Sequence, residues 1–140
     1  MTKERNKEDE AKEVYLALQT ADRKINAMQQ QIERVEEQIS QINDIKHSLD
    51  QIAHANGGEE NYVPLANGIF VRAKLEKVDD VLINVGASVC VKKSIAEAKE
   101  LMDKQLKDIL MFRSELMQRL ENTYKEAQEL EKKAREITNV

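Results

Sequence analysis
Apolar residues recur along this chain at two different periods, and the change of period divides it into three stretches. From Val14 onward the apolar positions are Val14, Leu18, Ala21, Ile25, Met28, Ile32, Val35, Ile39 and Ile42, spaced alternately by four and three. That spacing is a heptad seam with apolar residues at both core positions. Continuing the register gives Lys46, Leu49 and Ala53, with Ile45 and Ile52 widening the stripe. Lys46 interrupts the seam, and its plain reading is a snorkelling side chain beside the next stretch. The residues between seam positions, Gln29 to Gln31, Glu33, Arg34 and Glu36 to Gln38, form a solvated outer face. Residues 1–8 have no apolar period and predict a frayed start, so the first helix is expected over 9–55. Asn56-Gly57-Gly58 is its stop signal.

Between Tyr62 and Lys93 the rhythm becomes two. Ile69, Val71, Ala73 and Leu75 share one face of an extended strand, while Val81, Ile83 and Val85 alternate with Leu82 and Asn84. Val89 and Val91 flank Cys90. Asn67-Gly68 is a reverse-turn signal because both residue types tolerate positive φ, and Gly86-Ala87-Ser88 reads as a second turn. The pattern predicts four strands near 62–66, 69–76, 80–86 and 88–92, paired as two hairpins. Pro64 cannot donate to a ladder, which puts the first strand at an edge. Two hairpins leave open edges and an apolar face, and that face needs a cover.

The period of 3.5 then returns. Ser94-Ile95-Ala96-Glu97 has the form of a capping box. After it the seam runs Met102, Leu106, Ile109, Arg113, Leu116, Leu120, Thr123, Ala127, Leu130, Ala134 and Ile137. Ile95 and Ala98 join it through two steps of four, a local stutter. Arg113 is the charged intruder, with Phe112 beside it. The second helix is expected over 94–138, and the central β block over 62–93. Each helix has about 45 residues and so a length of about 68 Å. Equal lengths suit an antiparallel hairpin of helices, with the β block reversing the chain. The expected fold is therefore α+β and mostly α: a single domain over 1–140, with a long two-helix coiled coil and two central β-hairpins. Each buried seam residue contributes roughly 1.5–3 kcal/mol. Thr123, Ala127 and Ala134 contribute less, so the coil end carrying both chain termini should splay most readily.

Composition narrows the function classes. Charged residues make up 34%, there is no Trp, and the net charge is −4. No basic cluster is long enough to track a phosphate backbone, so nucleic acid is not an expected partner. No apolar run approaches the roughly 18 residues that span a bilayer. One cysteine excludes an internal disulfide framework and suits a reducing cytosol. Cys90, between two valines, reads as a small packing residue. His47 and His54 are seven apart, where a shared metal on a helix needs about four, so no metal is expected. There is no Gly-rich phosphate loop and no recognisable nucleophile with its base. Neither an enzyme nor a cofactor is expected.

The β block carries a family resemblance. Val63-Pro64-Leu65, Phe70-Val71-Arg72-Ala73-Lys74-Leu75, Val81-Leu82-Ile83-Asn84-Val85-Gly86-Ala87, Val89-Cys90-Val91-Lys92-Lys93-Ser94 and Ala96-Glu97-Ala98 resemble an alpha-type prefoldin subunit of archaeal type. Two hairpins between the helices resemble the alpha class, where the beta class has one. The resemblance covers nearly the whole chain. It implies a hexamer of two alpha and four beta subunits, with the hairpins forming a β-barrel platform and six coiled coils projecting from it. It also implies a cytoplasmic, ATP-independent holdase that captures non-native proteins at the coil tips and delivers them to a group II chaperonin. The alternative is a structural role, such as the homomeric filament formed by some alpha-like prefoldins. Client contact is then expected at Val14, Tyr15, Leu18, Leu130 and Ile137, each of which could instead merely close the coil. Oligomerisation is expected at Ile69, Val71, Val81, Ile83, Val85, Val89 and Val91, with packing onto the chain's own helices as the competing role.

Overall fold
The computed structural model describes residues 2–138. Helix α1 (Thr2–Ala53) leads to strands β1 (Glu60–Ala66), β2 (Ile69–Lys74), β3 (Asp80–Gly86) and β4 (Val89–Ser94), and helix α2 (Ile95–Thr138) closes the order. The chain divides into a terminal unit, Met1–Gln38 with Ile109–Val140, and a central unit, Ile39–Asp108.

In the terminal unit the heptad seam is the buried face. Ala21, Ile25, Val35, Leu116, Thr123 and Ala127 are buried, and the other seam residues of this unit are half-buried. Ala21, Ile25 and Ala127 form one cluster with Leu120 packed on it. Arg113 Nη2 donates to Glu36 Oε1 at 2.8 Å, and Gln29 Nε2 donates to Tyr124 Oη at 2.7 Å. Moving back along α1 from Glu36 to Gln29 moves onward along α2 from Arg113 to Tyr124, so the helices are antiparallel. Arg113 thus occupies a seam position by reaching out to a carboxylate, although its Nε is buried without a partner. Thr123 satisfies its hydroxyl locally by donating to the Arg119 carbonyl at 2.9 Å.

The central unit contains the bases of both helices and both hairpins. Leu49, Ala98 and Met102 form its buried cluster, with Ile42, Val81, Ile83, Ile95 and Leu101 packed against it. Ala98 is fully buried, so no larger side chain fits there without displacement. Lys46 is paired with Asp103 at 2.6 Å and Lys99 with Asp50 at 2.5 Å. The hydrogen bond from Lys99 holds the Asp50 carboxyl below its ordinary value. Lys46 therefore has a specific acidic partner across the seam as well as a snorkelling stem.

Each hairpin is its own two-stranded antiparallel sheet, β1 with β2 and β3 with β4. The two registers match step for step. Glu60 opposes Lys74 and Ala66 opposes Ile69, with a shift between Pro64 and Ala66. Asp80 opposes Ser94 and Gly86 opposes Val89, with a shift between Asn84 and Gly86. Leu65 and Val85 are the extra residues. The first turn needs positive φ only at Gly68 (75°), so Asn67 does not use its tolerance for it.

Several boundaries differ from the sequence reading. Helix α1 begins at Thr2 and ends at Ala53, not over 9–55, because the Lys/Glu-rich start is a good helix former even without an apolar face. Strand β1 begins at Glu60, since Glu60 and Asn61 find partners in Lys74 and Ala73, and β2 ends at Lys74. Strand β4 extends to Ser94 and passes directly into α2. The Ser94 hydroxyl accepts from the Glu97 amide at 3.1 Å, which is one half of the capping box. The Glu97 carboxylate turns instead to Lys93, 4.0 Å away. Gly57 is held at φ 80°, and a Cβ there would lie 2.7 Å from the Lys77 amide nitrogen. With the Gly58 amide donating to the Leu75 carbonyl at 2.8 Å, this docks the end of α1 onto the β2–β3 connector.

Candidate assembly and client surfaces
The seven hairpin residues expected at an oligomer interface fall into two groups. Val81 and Ile83 turn inward onto Leu49, Ala98 and Met102 of their own chain. Val91, on the same side of β4, is half-buried. The competing role, packing onto the bases of their own helices, therefore describes Val81 and Ile83. Ile69, Val71, Val85 and Val89 are exposed. A strand's two-residue alternation sends one face to a neighbour; among the described residues β3–β4 packs that face on a buried cluster, and no residue of β1–β2 joins one.

The β1–β2 hairpin bears the larger unpartnered apolar surface. Tyr62, Leu65, Ile69, Phe70 and Val71 are all exposed, Phe70 at 60%. Phe70 opposes Pro64, and Val71 opposes Val63, so both faces of this small sheet carry apolar side chains. Leu82, 72% exposed, adds to the outer face of β3. Sequence reasoning left Tyr62, Leu65, Phe70 and Leu82 out of the site. Their signal was present in the alternation, since the face opposite Ile69 and Val71 includes Phe70. Cys90 is an exposed free thiol, not a packed residue, because it lies opposite Asn84 on the side of the sheet away from Ile83. An apolar groove of about 690 Å³ runs between β3 and the helix bases, floored by Leu49, Ala98 and Met102 and rimmed by Ile45, Leu82 and Val85.

In the terminal unit, Val14 and Ile137 line one shallow cleft with Glu10, Glu13, Lys133 and Glu136. Val14, Leu18, Leu130 and Ile137 are half-buried on the seam. Tyr15 differs, with 63% exposure, and Leu16 beside it is equally open. Leu16 was missed because it lies off the heptad seam. On α2, Leu110, Met117 and Tyr124 are exposed at intervals of seven, with Met111 and Phe112 near their start. Leu110, Met117 and Tyr124 each sit one position after a seam residue, so the heptad core positions pass over them.

The remaining chemistry is modest. Gln51 Nε2 donates to His47 Nε2 at 3.2 Å, and His54 Nδ1 donates to the Asp50 carbonyl at 2.7 Å, so both imidazoles are engaged on their own helix. Among the described residues, no three His, Cys, Asp or Glu side chains gather as metal ligands. Among them too, no helix is long and apolar enough to cross a membrane.

Comparison with known proteins gives this arrangement its relatives. The chain is 35% identical over 80 residues to prefoldin subunit alpha 2 of Thermococcus kodakarensis, covering 57% of this chain and 56% of that protein. It is 32% identical over 82 residues to prefoldin subunit alpha of Methanobrevibacter smithii, covering 59% and 56%. The chain thus spans a little over half the length of these curated relatives. In fold it is similar to a chain in the cryo-EM structure of filamentous PFD from Methanocaldococcus jannaschii. The TM-score is 0.76 at 23% identity, over 85% of this chain and 98% of that one. The model of the prefoldin subunit family matches residues 21–140, which takes in most of α1, both hairpins and all of α2. With two long antiparallel helices joined through two hairpins, the chain belongs to the prefoldin family, as a relative of its alpha subunits.

Proposed function
We propose that this chain is one subunit of an ATP-independent holdase chaperone. Two copies assemble with four prefoldin beta subunits through the hairpins, which close into a β-barrel platform. The complex binds non-native proteins, keeps them from aggregating and passes them to a group II chaperonin in the cytoplasm. The observation that supports this most is the β1–β2 hairpin. It exposes Tyr62, Leu65, Ile69, Phe70 and Val71, and among the described residues none of its side chains joins a buried cluster. An open sheet edge beside so much apolar surface is a template for pairing with another chain.

Client contact is proposed at Val14, Tyr15, Leu18, Leu130 and Ile137. Tyr15 is the member available without any change, and the four seam residues become available as the coil end opens. Several weak contacts on several subunits would multiply into useful affinity. The test is aggregation of a chemically unfolded model protein, followed by light scattering without nucleotide, in the presence of this chain mixed with a beta-type partner. Suppression is expected, and none by a complex of verified hexameric mass would refute the proposal. A homomeric filament is the second reading, favoured by the fold shared with a chain solved in a filament. Native mass measurement on the chain alone separates the two, because large assemblies without a beta partner support the filament.

A further inference from the structure
Three consecutive residues at the tip of the β3–β4 hairpin have left-handed backbone: Gly86 at φ 118°, Ala87 at 48° and Ser88 at 61°. Only the first is a glycine. The β1–β2 hairpin has the same register and the same one-residue shift, yet it turns with a single positive φ, at Gly68. Each L residue with a Cβ in the left-handed region disfavours the closed turn by roughly tenfold. Local compensation is slight: Asn84 Oδ1 accepts from the Gly86 amide at 2.9 Å, and the flanking Val85 and Val89 are exposed. The base of the same hairpin is secured. Val81 and Ile83 pack on the central cluster, Lys92 pairs with Asp80 at 3.1 Å, and Ser94 caps α2.

We propose that the β3–β4 hairpin is an assembly-coupled device, closed at its base and strained at its tip, whose Gly86–Val89 end opens in the free chain and closes against a neighbouring subunit. The proposal rests on the assembly reading above for the identity of what closes it. The strain itself is independent of that reading. Strain of this kind persists where surrounding structure over-determines it; two successive positive φ values suit the twist of a hairpin, but among the described residues Val85 to Val89 are all exposed, and the paired strands alone hold the tip closed. A base fixed in advance and a tip completed on contact would tie formation of the last strand pairs to arrival of the partner.

The experiment is amide hydrogen exchange on the full chain, comparing Val89 with Ile69, its counterpart in the other hairpin. Val89 should show a protection factor at least about tenfold lower. The double variant Ala87→Asn/Ser88→Gly, whose residues accept left-handed backbone, should close most of that gap with helical content unchanged by circular dichroism. Ser88→Gly alone should close part of it. Equal protection at the two tips in the unaltered chain would overturn the proposal, as would a gap that survives the double variant. On adding a beta-type partner, Val89 protection should rise more in the unaltered chain than in the variant. An assembly of verified mass that leaves Val89 unprotected would also overturn it. If no assembly forms, the assembly reading fails, and the comparison of Val89 with Ile69 still decides whether the tip is strained.

Discussion
The terminal and central units seal the same heptad pattern with different material. In the central unit, Leu49 and Met102 fill the seam around Ala98, and a sheet brings Val81 and Ile83 in from the side. In the terminal unit, the cluster is built from Ala21, Ile25 and Ala127, with Thr123 buried beside the same stretch of α2. Small side chains let two helices approach but remove little apolar surface from water. The lesson is that a recurring heptad pattern does not mean uniform cohesion. One end of the pattern is backed by a third element, and the other is two helices alone.

This contrast can be broken or sharpened by substitution. The largest expected effect is from Met102→Ala, which opens a cavity in the central cluster and should cost roughly 3 kcal/mol in urea unfolding. A loss under 1 kcal/mol would mean that the central unit is no better packed than the terminal one. Next, Ile83→Ala should lower the stability of the chain by about 2 kcal/mol, since Ile83 packs on that cluster. Phe70→Ser should leave the chain's own stability nearly unchanged and abolish assembly in native mass measurements, since Phe70 is exposed and joins neither buried cluster. If the two substitutions exchanged behaviours, the division of labour between hairpins would be wrong. Smaller still, Thr123→Val should stabilise the terminal unit by up to about 1 kcal/mol. It replaces a buried hydroxyl, bonded only to its own helix, by a methyl. A destabilised variant would show that the Thr123 hydroxyl has a role in the seam.

The smallest effect concerns acid. Asp50 has its carboxyl lowered chiefly by the hydrogen bond from Lys99, so in the folded chain it stays ionised at a pH where the unfolded chain has begun to protonate. Its contribution is present above the ordinary carboxyl value and is lost as the pH falls through the lowered one. Asp50→Asn should therefore flatten the stability profile slightly below pH 4, with no change in shape above pH 5. A difference confined to neutral pH would assign the effect to helix packing instead.

How much of this was legible in sequence follows from what each feature depends on. The seam was readable because steps of four and three need only positions along one chain. The partners of Lys46 and Arg113 were not, because Asp103 and Glu36 are chosen by the register between helices, which a single strand of letters does not state. The hairpins were readable from alternation and turn residues. The inward turn of Val81 and Ile83, against the exposure of Val85 and Val89, was not, since alternation gives two faces without saying which one meets a helix. Tyr15 was named and Leu16 was not, because the heptad register draws attention to the seam and its flank and leaves the outer residues unexamined. The tip of β3–β4 reads as a turn in either view, but only backbone angles show that Ala87 and Ser88 bear the left-handed conformation.

The junction at Ser94 has one more consequence. Ser94 is both the last residue of β4 and the residue that caps α2, with no connecting segment between them. The β1–β2 hairpin, in contrast, has a connecting segment at each end, the loop after Ala53 and the connector before Asp80, which the Gly58–Leu75 hydrogen bond ties together. A strand that becomes a helix at a single residue has no joint at which to swivel. Whatever grips the β3–β4 sheet also aims the first turns of α2, so fixing that sheet in a larger ring would set the bearing of the helix that grows from it.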